Sequence, residues 1–88
     1  MQKIVIEVTF NETRETFVAA IQLHGWEIGD HADSVFAQCE SFYEDKARMR
    51  AEHIMKTFFP CVKEYEVRLD SEAVTLQRMG PGKFAAAS

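Results

Sequence analysis

Residues 11–25, NETRETFVAAIQLHG, decide how the rest of the chain is read. At about 100° per residue, Phe17, Ala20, Ile21 and His24 fall on one narrow stripe, with Val18 and Leu23 flanking it. Asn11 or Thr13 offers a side-chain oxygen to the free N–H groups of a first helical turn. Gly25 stands where a helix closes on a left-handed residue. The spacing predicts a helix from Asn11 or Thr13 to His24.

On either side the period changes. In KIVIEVTF (3–10), Ile4, Ile6, Val8 and Phe10 alternate with Lys3, Val5, Glu7 and Thr9, as in a strand with one buried face. WEI (26–28) and SVFAQCE (34–40) read as two strands joined by GDHAD, whose glycine and aspartates suit a hairpin. Alternation in the second strand puts Val35, Ala37 and Cys39 on one face, with Phe36, Gln38 and Glu40 on the other.

Ser41-Phe42-Tyr43-Glu44 has the form of a capping box, opening a second helix that stops at Pro60. Its apolar face is Tyr43, Ala47, Ala51, Ile54, Met55 and Phe58, with Glu44–Arg48 and Glu52–Lys56 as supporting pairs. VKEYEVRL (62–69) turns Tyr65, Val67 and Leu69 inward, DSEA reverses the chain, and VTLQRM (74–79) returns as an antiparallel strand. The expected order is β-α-β-β-α-β plus a C-terminal strand. That is an α+β, ferredoxin-like split βαβ arrangement, with two helices on one face of an antiparallel sheet. Residues 1–79 would form its single domain, and GPGKFAAAS (80–88) a flexible C-terminal tail.

Eighty-eight residues leave no room for a second core. Ten basic against fourteen acidic residues give a formal charge of −4, which opposes general affinity for phosphate backbones or anionic membranes. No stretch reads as a secretory signal or a membrane span. Cys39 and Cys61 form no CxxC pair and read as reduced thiols, so the expected compartment is the cytoplasm.

HGWEIGDHAD (24–33) looks most like chemistry, holding His24, Trp26, Asp30, His31 and Asp33. A zinc site needs three or four converging ligands, whereas a strand through Trp26 would hold His24 and His31 apart. A helix end followed by a hairpin turn accounts for the same residues, and no metal or cofactor is implied. The chain has no P-loop, G-x-S-x-G or G-x-G-x-x-G. One enzyme reading survives these exclusions: a small homodimeric ferredoxin-like oxygenase or isomerase with a pocket near His24 and Trp26, which Tyr65 would also line.

Lys46, Arg50, His53 and Lys56 read as one basic sector of the second helix, the natural candidate for contact with nucleic acid. The uncovered sheet face argues against sheet-based RNA binding, because it offers one aromatic, Phe36, and four of its five charges are acidic. Glu7, Phe36, Glu40, Glu64 and Glu66 on that face make a candidate protein-binding surface, and a homodimer through the sheet fits it as well. The sequence therefore reads as a small acidic protein acting by protein contact, an inhibitor or regulator rather than an enzyme. Proteins of this size without a catalytic constellation include viral and mobile-element inhibitors of host or defence complexes, an analogy of fold and size alone.

Overall fold

Ile4, Ile6 and Val8 make an apolar ribbon that needs a matching face, and residues 16–28 supply it as a strand. The computed structural model describes residues 2–28, 31–69 and 72–86, without the side chains of 26–28 and 31–34. In it β1 (Lys3–Asn11) pairs antiparallel with β2 (Thr16–Ile28), setting Ile4 against Leu23, Ile6 against Ile21 and Val8 against Ala19. The helix expected here does not form. Phe17, Ala19, Ile21 and Leu23 alternate as well as the helical stripe repeats, and only the alternation matches β1 residue for residue.

The residues expected to bound that helix have other work. The Asn11 side-chain oxygen accepts from the N–H groups of Thr13 and Arg14, at 3.1 and 3.2 Å, and stabilises the turn between β1 and β2. Glu15 completes that turn in the left-handed region, at φ 53°. Gly25 has the positive φ, 74°, that its sequence position suggested, but inside β2, where pairing with the next strand slips between His24 and Ile28.

β3 (His31–Ser41) pairs antiparallel with β2, and Ile28 faces His31, so the expected hairpin is present. Residues 29 and 30 of its connection, Asp30 among them, lie outside the described residues. α1 (Glu44–Phe58) then carries the chain across the sheet to β4 (Glu64–Leu69), which lies parallel to β1. β5 (Glu72–Gly80) and β6 (Lys83–Ala86) follow as antiparallel neighbours. The result is one mixed six-stranded sheet, in the order β3-β2-β1-β4-β5-β6, with a single helix. It is α+β, and it overturns the two-helix ferredoxin-like expectation.

Ala47, Ala51 and Met55 are fully buried, and the two alanines let α1 approach β2 and β3 closely. The capping box is not made. Ser41 still belongs to β3, its Oγ accepts from the Tyr43 N–H at 3.3 Å, and Tyr43 is the N-cap residue. Glu44 and Asp45 in the first turn favour the positive end of the helix dipole instead. Residues 83–86, read from sequence as part of a tail, pair with β5, and Phe84 packs edge-on against Tyr65 at 5.0 Å. Among the described residues no helix is long and apolar enough to cross a membrane.

Candidate protein-interaction surface

The helix-free face of the sheet carries the four acidic candidates, and cations pair with two of them, Glu66 and Glu40. Glu66 is only 8% exposed. Lys3 Nζ lies 2.6 Å from one of its carboxylate oxygens, and Arg68 Nε donates to the other. The hydrogen bond from Lys3 is the main reason its carboxyl sits below the usual carboxylate range; Arg68 adds to this and burial opposes it. Glu40 faces Arg14 at 3.6 Å, and Glu7 accepts from the Gln22 amide at 3.4 Å. Glu64 is exposed. Val5, opposite Gln22 and Glu66, is fully buried on this face although no helix covers it. Two of the four carboxylates on this face are thus matched by cations, so the face is less acidic than its glutamates alone suggest. Alternation alone puts Lys3 and Glu7 on one face of β1, so that much was open to sequence reading.

Phe36 does not join this face. The pairing of β2 with β3 slips between Ile21 and Gln22, so Ala37 faces Ile21, Val35 faces Gln22, and Phe36 is the extra residue of the bulge. Its ring packs edge-on against Phe58 at 5.3 Å and Phe59 at 5.2 Å, at the far end of α1. Strict alternation misplaces it because a bulge inverts the parity of every residue beyond it.

The basic residues of α1 divide between two sides. Arg50 Nη1 donates to the Glu40 carbonyl of β3 at 3.2 Å, and Lys46 lies over the Tyr43 ring at 4.9 Å. Lys56 lies over the Phe84 ring of β6 at 5.1 Å, away from the other three. On that second side the buried Tyr65 hydroxyl donates to Glu52, which also pairs with Arg48 at 3.1 Å. Burial is the chief cause of the raised Tyr65 pKa, and the Glu52 hydrogen bond and charge reinforce it.

Of the residues proposed from sequence for an enzyme pocket, His24 and Tyr65 lie on opposite faces of the sheet. His24 Nε2 is 3.0 Å from the Gln22 side-chain oxygen, Tyr65 lies in the core under Phe84, and the Trp26 side chain is outside the described residues, as are those of His31 and Asp33. A cleft of about 460 Å³ lies elsewhere, between the start of β1 and residues 58–64, walled by Ile4, Phe58, Phe59, Pro60 and Val62. Cys61 sits in that wall with its thiol exposed; Cys39 is buried, and burial raises its pKa. The described residues contain no group of three His, Cys, Asp or Glu side chains placed to share a metal ion.

Six of the eight exposed large apolar side chains among the described residues instead follow β3, α1 and the turn between them, with Phe10 and Met79 apart. Val35 is 51% exposed, Phe36 40% and Phe58 63%, and Phe42, Tyr43 and Met49 are also open. Comparison with protein-family models, curated proteins and solved structures found no match to this chain.

Proposed function

We propose that this protein is a non-catalytic binding module that regulates or inhibits a partner protein seated along the free edge of β3. The observation that carries this reading is the edge itself. β3 is eleven residues long, ends the sheet, and is flanked by exposed Val35, Phe36 and Phe58. Natural sheets usually blunt such an edge, and the opposite edge here, β6, is only four residues long. Exposed aromatics beside an unpaired strand favour contact with protein, where main-chain bonds and apolar anchors act together.

A photocrosslinking residue placed at Val35 or Phe58 tests this in extract from the source cells. The reading expects one defined protein partner joined at both positions and none from the same probe at Glu64 on β4, three strands in from that edge. Crosslinking from Glu64, or a retained partner that neither edge position reaches, removes the assignment.

A further inference from the structure

Accepting β3 as the contact edge, we propose that its occupant is an extended acidic segment of the partner, added to β3 as a further strand. Two features select an extended chain. The sheet order ends at β3, so its outer backbone groups meet no further strand among the described residues. A strand supplies donors and acceptors at the regular spacing that such an edge presents.

Acidic chemistry follows from the helix beside that edge. The chain leaves β3 at Ser41, turns, and comes back along it, so that Phe58 at the end of α1 meets Phe36. Lys46, Arg50 and His53, one and two turns apart, occupy the sector that Arg50 joins to the Glu40 carbonyl. All three are exposed. The helix's own Glu52 faces the other way, toward Tyr65 and Arg48, and Glu40 on the strand is matched by Arg14. Lys46 and Arg50 lie about 6 Å apart along the helix, close to the roughly 6.8 Å between alternate residues of a strand, so two acids on one face of the segment meet them. Beyond them, toward Phe36 and Phe58, the same face meets an apolar anchor site. The segment is therefore acidic at alternate positions and apolar at the end that reaches Phe36. The net charge of −4 opposes a nucleic-acid backbone, while the local cation row favours one short acidic stretch.

The test is a selection of random twelve-residue peptides on the immobilised full chain, followed by fluorescence anisotropy of the enriched peptides. The expected winners carry Asp or Glu at alternate positions, and added salt weakens them. Lys46→Glu, alone and with Arg50→Glu, weakens them about tenfold or more while the circular dichroism spectrum is unchanged. N-methylation of every second peptide amide abolishes binding in one register and is tolerated in the register shifted by one, the signature of an added strand. Winners without acids that still compete with crosslinking from Val35 overturn the acidic segment and leave the binding-module reading standing. Winners that map to β4 around Glu64, away from the β3 edge, overturn both. Oligothymidylate bound through Lys46 and Arg50, with no acidic peptide selected, gives the cation row to nucleic acid and also overturns the proposal.

Discussion

The Tyr65 hydroxyl donates to the Glu52 carboxylate, and this bond ties β4 to α1. The helix otherwise packs mainly on β1, β2 and β3, so the contact joins the two halves of the fold. Tyr65→Phe is expected to cost about 1–2 kcal/mol in urea unfolding, because Glu52 keeps Arg48 as a partner. The pH dependence has a definite sign. A tyrosine whose folded pKa is raised keeps its proton after the unfolded chain has lost it, so the parent loses stability as pH rises above the ordinary value of 10.0. Tyr65→Phe should flatten that part of the profile, and an equally steep fall would contradict the bond.

Glu66 and Glu64 sit on one strand and face alike, but they should respond differently to charge reversal. Glu66→Lys is expected to destabilise the fold by about 2 kcal/mol, below the range for a fully buried pair because Lys3 and Arg68 reach water. Glu64→Lys should stay within about 0.5 kcal/mol of the parent. A depressed carboxylate pKa contributes stability above the unfolded value. The parent should therefore weaken as pH falls below 4.5, more than Glu66→Gln does. Thermal melts from pH 3 to pH 7 measure both effects.

Glu15 gives a test in which strand and helix predict opposite signs. Glu15→Gly relieves a left-handed backbone and should raise stability by about 0.5 kcal/mol, net of the extra freedom of the unfolded chain. Inside a helix the same change would cost about 1 kcal/mol. Denaturation midpoints separate the two.

Phe84 makes residues 83–86 part of the fold by packing on Tyr65. Phe84→Ala should cost about 1.5–2 kcal/mol by loss of apolar area and the ring pair, as read from chemical denaturation. A change within error would return these residues to a dispensable tail.

The two thiols should titrate as distinct classes. A disulfide reagent at pH 8 is expected to modify one thiol quickly, at the exposed Cys61, and the second only on unfolding, since Cys39 is buried with a raised pKa. Two fast thiols in the native protein would count against the burial of β3.

Much of the architecture was legible where a segment carried one period only. The alternations around Ile4, Tyr65 and Leu76, the hairpin around residues 29–30, and the helical spacing of Ala47, Ala51 and Met55 each allow one element and one buried face. Residues 17–24 carry two periods, and their local propensity does not choose between them. The choice falls to a long-range match, because a strand buries the β1 ribbon on the side α1 covers and a helix at that place would leave β1 without its partner. Phe36 needed the bulge, a property of pairing register that no single strand records. The Lys3–Glu66 and Tyr65–Glu52 contacts join residues far apart in the chain, so no spacing rule reaches them. The sequence by itself determined five of the elements and the buried faces of most of them. Tertiary structure decided β2, β6, the strand order and the open edge at β3, because those depend on which apolar faces can be buried together.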